Sequence, residues 1–408
     1  MHTGEPENMA LNLLEVIFER TADFEAFEAK LSRLKEYAEY LEQELRSAFG
    51  TVVLTDLHSI QGCLTAAIVQ IKSRPEDTRR EVKTCLQTKH FQNNQDAVVD
   101  KMLALAVRIM CATACSWPTT SLGSAIHIEA DIFRPVWKES ETLPGFLERV
   151  YPQSANPMHA DVGPLRIHRL SAGSLTRSAS ITIQWTHQLS DHLLLLKGAD
   201  WKSLYIYRHP SFLRYSLDLL YDHSIDLDQS TSQALTHGCL PPRLLREALV
   251  TYNILFPLAG DSLSRDILEK DVERLGLDSS LLEPSMSHAI YHHHESFRDA
   301  LPPTDVRGLY NKYPYWADRL YEVWKEAEDP TPVTAIGRWS EARRNPRFTY
   351  WCTVVAVTLA FVFGIVTTIL AAVQVWVSFC AWDANSTVSS CRLRGEGKSV
   401  FVAEGDSD

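Results

Sequence analysis

The sequence lacks the short motifs that bind nucleotides or that form the nucleophile turn of common hydrolases. It contains no G-x-x-x-x-G-K-[ST], no G-x-G-x-x-G and no G-x-S-x-G pattern, which argues against a P-loop nucleotidase, a dinucleotide-binding enzyme and an α/β-hydrolase. It also has no long basic stripe. The net charge of −11 disfavours a nucleic-acid partner, because phosphate contacts require clustered Lys and Arg.

Paired or densely spaced cysteines are absent as well. The eight cysteines are scattered without a CxxC pair, so the sequence predicts reduced thiols in a cytosolic body. The N-terminus has no basic region, and its apolar run is interrupted by Glu15 and Glu19, which is not the pattern of a signal peptide. We therefore expect membrane targeting to come from the C-terminal part of the chain.

That part contains one long apolar segment. Residues 348–382 are 35 uncharged residues in succession, whereas a helix needs roughly 20 apolar residues to cross the hydrocarbon core of a bilayer. Tyr350 and Trp351 at one end and Trp376 at the other are typical of residues at the two membrane interfaces. The segment predicts a transmembrane helix over 350–376. A buried core helix is disfavoured, because core helices rarely run this long without a charge.

The residues on either side of the span predict its orientation. Arg343, Arg344 and Arg347 precede it, whereas the short tail 377–408 carries more acidic than basic side chains. The positive-inside rule therefore places the body in the cytoplasm and the tail across the membrane. Asn385 begins an N-x-[ST] sequon, which predicts glycosylation on the translocated side. This is the topology of a single-pass, tail-anchored protein, and the ER and the plasma membrane fit it equally.

The rest of the chain predicts a mainly α body with a small β-sheet, an α+β class. Region 1–118 is helical, and 119–328 combines helices with three short runs, LRIHRL, SITIQW and SLYIY, that predict strands. Between the last two runs, HQLSDHLLLL predicts a short helix. Residues 329–349 are predicted to form a linker and a basic juxtamembrane segment.

A heptad pattern covers 23–49 in the helical region. Apolar residues recur at alternating spacings of three and four, at Phe24, Phe27, Leu31, Leu34, Ala38, Leu41, Leu45 and Ala48. Just over three heptads is the threshold for a coiled coil. The pattern indicates either a helix for self-association or a protein partner, or a long helix that packs on its own domain.

Several elements resemble those of a family of uncharacterised filamentous-fungal membrane proteins. They are the W-T-x-x-L-x-D-H-L element at 185–193, the helix from L-P-P to L-F-P at 240–257, and the C-terminal apolar helix that ends near Q-V. The resemblance covers about 165–376. It implies a membrane protein linked to fungal surface, colony or self/non-self biology, and it brings no established chemistry.

His187 and Asp191 form an H-x-x-x-D pattern. In acyltransferases of the BAHD and condensation types, the histidine of this pattern deprotonates the acceptor. Those enzymes have Gly after the Asp and a downstream D-F-G-W-G, whereas this sequence has His192 at the first position and lacks the second motif. The alternative is that Leu189 and Leu193 pack a short helix on the sheet, while Asp191 and His192 make local hydrogen bonds.

A second candidate lies in SHAIYHHHESF. If this segment is helical, His288, His292 and Glu295 share one face and have the ligand types for Zn²⁺. The order is not H-E-x-x-H, so no metalloprotease mechanism follows. The alternative is a solvated surface patch.

Together these patterns predict a non-enzymatic, membrane-anchored interaction or scaffold protein without a cofactor. Its predicted partners are the lipid bilayer and a protein, or a second copy bound through 23–49. A membrane-tethered enzyme that uses His187 and Asp191, or a metal at His288, His292 and Glu295, is the alternative.

Overall fold

The structure is a computed structural model that describes residues 5–18, 32–49, 57–90, 96–116, 134–154, 164–257, 260–282, 302–332 and 346–382. Its α-helices are α1 Glu5–Phe18, α2 Lys35–Phe49, α3 Leu57–Ser73, α4 Arg79–His90, α5 Asp96–Cys111, α6 Leu143–Val150, α7 Ala172–Ala179, α8 Pro210–Asp222, α9 Thr231–Thr236, α10 Pro242–Leu255, α11 Ser262–Leu275, α12 Val306–Lys312, α13 Ala317–Glu328 and α14 Pro346–Trp382. Its strands are β1 Thr182–Thr186, β2 Leu195–Lys197 and β3 Lys202–Tyr207. A mostly helical chain with a small sheet and one apolar C-terminal helix confirms the predicted fold class.

The chain divides into two compact units, residues 1–333 and 334–408. The regions predicted as 1–118 and 119–328 fall in the first unit, which we call the body. One cluster of buried apolar side chains extends through the body from Ala10 in α1 to Ala327 in α13. The second unit contains α14.

The described part of the heptad pattern packs inside the body. A 3-10 turn at Ser32–Leu34 leads into α2, and Leu34, Leu41 and Leu45 are at most 5% exposed. Helix α2 lies against α1. From Leu34 onward, the apolar face is therefore used within the chain, as the packing alternative requires. The first three heptad residues lie outside the described residues, so self-association through them stays a prediction.

The sheet has the strand order β1-β3-β2. Strand β1 pairs with β3 in parallel, with Ile183 opposite Leu204, and β2 pairs with β3 antiparallel, with Leu195 opposite Leu204. Helix α7 lies against β1, and α13 lies against β2. The sheet is thus a small element enclosed by helices, as an α+β body requires.

The structure corrects two predictions about local elements. LRIHRL is not a strand, because Ile167–Leu170 form a 3-10 helix and Ser171 then caps α7 by accepting the N–H of Ser174 at 3.3 Å. HQLSDHLLLL is not one helix. A 3-10 turn at Leu189–Asp191 is followed by Leu193 with a φ of 58°, and this left-handed residue redirects the chain into β2.

Helix α13 contacts both this segment and the sheet through charged side chains. Arg319 Nη1 donates hydrogen bonds to the carbonyl oxygens of Ser190 and His192 at 2.7 and 2.5 Å. Further along α13, Glu326 Oε1 lies 2.7 Å from the ammonium of Lys202 on β3. Both side chains of this ion pair are nearly inaccessible, so the pair fixes α13 to the sheet.

Candidate functional sites

Helix α14 is the first candidate site. It is one continuous helix of 37 residues, and its stretch Thr353–Phe379 has a mean hydropathy of 2.6, with no part of it buried among the described residues. At about 1.5 Å per residue, a stretch of that length is ~40 Å long, which exceeds the ~30 Å hydrocarbon core of a bilayer. Phe361 and Phe363 are 71% and 66% exposed. A helix that presents such side chains on every side suits lipid rather than water.

Three threonines in the middle of α14, Thr358, Thr367 and Thr368, donate hydrogen bonds within the helix. The hydroxyl of Thr358 donates to Val354 O at 2.7 Å, and that of Thr368 donates to Gly364 O at 2.7 Å. A hydroxyl that bonds its own backbone does not need water. These side chains are therefore compatible with a hydrocarbon environment.

The predicted interface residues are only partly described. Trp376 is 44% exposed, and Arg347, Tyr350 and Trp351 fall within α14. The basic residues Arg343 and Arg344 and the sequon residue Asn385 lie outside the described residues. The helix continues past the predicted boundary at 376 to Trp382, and the apolar stretch ends at Phe379.

A buried histidine cluster is the second candidate site. It forms where β1 ends and α8 begins, because His187 follows β1 and His209 precedes Pro210 at the start of α8. His187 Nδ1 lies 2.9 Å from His209 Nε2, and His187 Nε2 lies 3.3 Å from Arg208 Nη1. Since Arg208 can only donate, Nε2 of His187 accepts and its Nδ1 carries the proton that is donated to His209.

Burial keeps both imidazoles neutral. The pKa of His187 is lowered to about 3 by burial, and then by the positive charges of Arg208 and Arg108. Burial also holds the pKa of His209 well below its ordinary value. Both ring nitrogens of His187 are engaged, and an imidazole with so low a pKa is a weak general base near neutral pH. This geometry suits a structural hydrogen-bond chain better than it suits a base that deprotonates an acyl-acceptor substrate.

Tyrosines enclose the cluster. Tyr40 of α2 stacks on His187 with ring centroids 4.2 Å apart, and Tyr37 contacts His209 edge-on at 5.4 Å. The ring of Tyr207 lies 5.7 Å from that of His209. The cluster therefore ties α2 to the segment that follows the sheet. Sequence reasoning did not find these tyrosines, because Tyr40 and His187 are 147 residues apart and share no motif.

Asp191 and His192 take structural positions beside the cluster. Both side chains are fully buried. His192 Nδ1 accepts the backbone N–H of Tyr207 at 3.1 Å, so its protonated Nε2 donates to Thr251 Oγ1 at 2.7 Å. Burial lowers the pKa of His192 to about 3. These two hydrogen bonds join the side chain of His192 to β3 and α10, 15 and 59 residues along the chain.

The three residues of the predicted metal site, His288, His292 and Glu295, lie outside the described residues, so the metal site stays a prediction. Within the residues that the structure describes, no group of three or more His, Cys, Asp or Glu side chains is placed to hold a metal ion.

Comparison of the chain with family models, with curated proteins and with solved structures gives no match. The proposed function therefore depends on the two sites themselves.

Proposed function

We propose that this chain is a single-pass membrane protein, anchored by α14, whose body is a cytoplasmic interaction or scaffold module. The observation that carries the proposal is the apolar stretch Thr353–Phe379, no part of which is buried among the residues that the structure describes. In water such a helix would expose a large apolar surface at a high free-energy cost. In a bilayer the same surface is favourably solvated by lipid.

Alkaline carbonate extraction tests the anchor. Full-length protein expressed in a eukaryotic cell should stay in the membrane pellet, because carbonate removes peripheral but not integral proteins. A variant that lacks 346–382 should be found in the supernatant. Release of the full-length protein by carbonate would contradict the proposal.

The charges on either side of the apolar stretch of α14 support a cytoplasmic body. Arg343, Arg344 and Arg347 precede the span, and the residues that follow it are acidic on balance, in keeping with the positive-inside rule. The test is the modification of Asn385. Wild type should shift in mass on glycosidase treatment, Asn385→Gln should not, and protease added to sealed vesicles should digest the body and spare the tail. Protection of the body together with digestion of the tail would reverse the orientation.

An interaction role for the body is supported by the environment of His187, the residue that the sequence favours most as a catalytic base. His187 uses both ring nitrogens on Arg208 and His209, and its low pKa leaves it uncharged and weakly basic. The body also exposes the large side chain of Trp201, 48% accessible, at the turn between β2 and β3. Cross-linking in cells should capture defined proteins that are absent when the body is deleted. Capture of the same proteins by α14 alone would contradict a role for the body.

Metal analysis of the purified full-length protein tests the enzymatic alternative. Stoichiometric zinc in the wild type, lost in His288→Ala/His292→Ala and retained in the exposed-site control His223→Ala, would favour a metal enzyme over a scaffold. Absence of stoichiometric zinc from wild type purified in zinc-containing buffer favours the proposal.

A further inference from the structure

We propose that Thr331 is a phosphorylation site, and that a phosphate on it detaches residues 329–332 from helix α13. Thr331 is the one serine or threonine of the chain that is followed directly by proline, which is the pattern that proline-directed protein kinases accept. The inference rests on the proposed function in one respect, because ATP and such kinases are found on the cytoplasmic side of a membrane.

Thr331 lies where a kinase can reach it. Helix α13 ends at Glu328, and none of residues 328–332 is buried, with Thr331 itself exposed. Pro332 restricts Thr331 to extended backbone conformations, and kinases bind the accepting residue within an extended segment. A short exposed segment of this kind opens locally at a much lower free energy than the body needs to unfold. The hydroxyl of Thr331 is therefore available to an enzyme.

The unmodified Thr331 fastens the segment to α13 through the carboxylate of Glu326. The backbone N–H and the hydroxyl of Thr331 both donate to Oε1 of Glu326, at 2.8 and 2.7 Å. Glu326 is 2% exposed, and it forms ion pairs with Lys197 at 2.5 Å and with Lys202 at 2.7 Å. These are charge-assisted contacts. The group that binds Thr331 is thus the same carboxylate that joins α13 to the sheet.

Phosphorylation removes this attachment chemically. When the γ-phosphoryl group of ATP is transferred, a bond forms between phosphorus and Oγ1 of Thr331, the bond from phosphorus to the β–γ bridging oxygen breaks and ADP leaves. The hydroxyl proton passes to the catalytic aspartate of the kinase. The esterified oxygen then has no hydrogen to donate to Glu326. The phosphate also carries a charge of about −1.5 to −2 near pH 7, so it repels the carboxylate.

Two lysines lie within reach of such a phosphate. Because Oγ1 of Thr331 and Nζ of Lys202 each lie 2.7 Å from the same oxygen of Glu326, they are at most 5.4 Å apart. Lys202 is nearly inaccessible and also donates to Ala179 O at 3.0 Å, which keeps it in place. The side chain of Lys197 is 44% exposed and pairs with the other oxygen of Glu326, so it can turn outwards. We expect the phosphate to take Lys197 as its partner.

Phosphorylation of purified full-length protein in mild detergent tests the site. After incubation with a cyclin-dependent kinase and ATP, peptide mass spectrometry should find phosphate at Thr331. Pro332→Ala keeps the hydroxyl but removes the ring that the kinase recognises, so its phosphorylation should be about tenfold slower or more. Thr304 is a control within the chain, because it is exposed and follows a proline but precedes Asp305. Equal phosphorylation of Thr304, or an unchanged rate in Pro332→Ala, would overturn the site.

Hydrogen exchange of the phosphorylated protein tests the detachment. The amide of Thr331 is hydrogen-bonded in the unmodified protein, whereas Pro330 and Pro332 have no amide hydrogen. Phosphorylation should speed the exchange of this amide by about tenfold or more, because its bond to Glu326 is lost. The control Thr331→Val keeps the N–H and adds no charge, so its exchange should rise less. Unchanged exchange after phosphorylation would overturn the detachment.

Phosphorus NMR tests the lysine partner. A nearby ammonium favours the dianion, so the phosphate should titrate below its ordinary pKa of about 6. Lys197→Met should bring the titration back towards that value, and the control Lys325→Met, at an exposed position of α13, should not. A titration that Lys197→Met leaves unchanged would overturn Lys197 as the partner.

Sealed microsomes separate this inference from the orientation on which it rests. Kinase and ATP are added outside microsomes that contain the full-length protein. Phosphorylation of Thr331 in intact vesicles supports both the site and the cytoplasmic body. Phosphorylation only after detergent opens the vesicles overturns the cytoplasmic body and supports the site. Failure to phosphorylate Thr331 before and after detergent overturns the site and leaves the anchor in place.

Discussion

The body and α14 use the same kinds of apolar side chain in opposite ways. Leu204, Tyr207 and Phe212 of the body are at most 1% exposed, whereas Phe361 and Phe363 of α14 are more than 60% exposed. In the body, these side chains are removed from water by the rest of the chain. In α14, none of the residues that the structure describes removes them from water, which is why we propose that lipid does. The body is thus stabilised by its own contacts, whereas α14 is proposed to be stabilised by its solvent.

Polar side chains also differ between the two regions: in the body they join distant segments, whereas in α14 they bond to their own helix. In the body, the hydroxyl of Thr251 joins His192 to the carbonyl of Ala248, at 2.7 and 2.6 Å, and so connects distant segments. In α14, the hydroxyl of Thr368 reaches only Gly364, four residues earlier. Because His192 is ionisable, a hydrogen bond of this kind makes the stability of the body depend on pH. The stretch Thr353–Phe379, in contrast, has no Asp, Glu, His, Lys or Arg.

The largest effect should come from placing charge on α14. Val362→Arg/Val366→Arg puts two guanidinium groups near the middle of the span, each unfavourable by about 2.5–3.5 kcal/mol on insertion scales. We expect the carbonate-resistant fraction of the full-length protein to fall from most of the protein to a minor part. The double control Val362→Leu/Val366→Leu should remain in the pellet. An arginine variant that stays fully membrane-integrated would break the comparison, because α14 would then not depend on lipid.

The largest effect on the stability of the body should come from acid, which should spare α14. His187 and His192 have pKa values lowered to about 3, and that of His209 is also well below its ordinary value, all through burial. The unfolded chain takes up these protons near pH 6.5, whereas the folded body does not. The stabilisation is therefore complete above pH 6.5 and is lost as the pH falls towards 3. With three such groups, the free energy of unfolding should fall by about 4 kcal/mol for each pH unit below 6.5.

Denaturant unfolding of full-length protein in mild detergent, followed by tryptophan fluorescence from pH 7.5 to 4.5, measures this loss. His187→Gln should make the pH dependence shallower by about a third, since it removes one of the three groups. The exposed-site control His223→Gln should keep the wild-type dependence. A body whose unfolding midpoint is constant from pH 6.5 to 4.5 would contradict the neutral buried histidines.

The long apolar helix α14 was predictable from sequence, because a run of uncharged apolar residues is a local signal. The core face of α2 was predictable as well, although its partner α1 was not. The turn at Leu193 could not be predicted, because a bulky residue rarely adopts a positive φ. This turn converts the second half of HQLSDHLLLL into β2. The histidine cluster was also out of reach, since Tyr40, His187 and His209 meet only when the whole body has folded.

Removing the charged link between α13 and the 3-10 turn should have an intermediate effect. In Arg319→Met, the carbonyl oxygens of Ser190 and His192 lose the guanidinium that binds them at 2.7 and 2.5 Å. Buried acceptors left without a donor cost about 2–4 kcal/mol in total. Chemical denaturation should show this loss of unfolding free energy. The control Arg307→Met, at an exposed position of α12, should stay within about 0.5 kcal/mol of wild type. If Arg319→Met leaves the free energy of unfolding unchanged, α13 does not stabilise this turn.

The smallest effect on stability should appear on the alkaline side, where one buried carboxyl group has a pH dependence opposite to that of the histidines. Glu247 of α10 accepts the backbone N–H of Tyr315 at 2.9 Å, and burial raises its pKa to about 8 despite Arg243 nearby. The folded body thus binds a proton that the unfolded chain releases near pH 4.5, so stability declines as the pH rises through 8. Glu247→Gln keeps the acceptor oxygen and should remove about 1–2 kcal/mol of the decline between pH 6.5 and 8. The exposed-site control Glu148→Gln should not.

Because the buried histidines and Glu247 change stability in opposite directions with pH, the body should be most stable near pH 6.5. The helicity of α14 should stay constant across the whole range. A stability maximum that shifts equally in both variants would show that Glu247 does not set the alkaline limit.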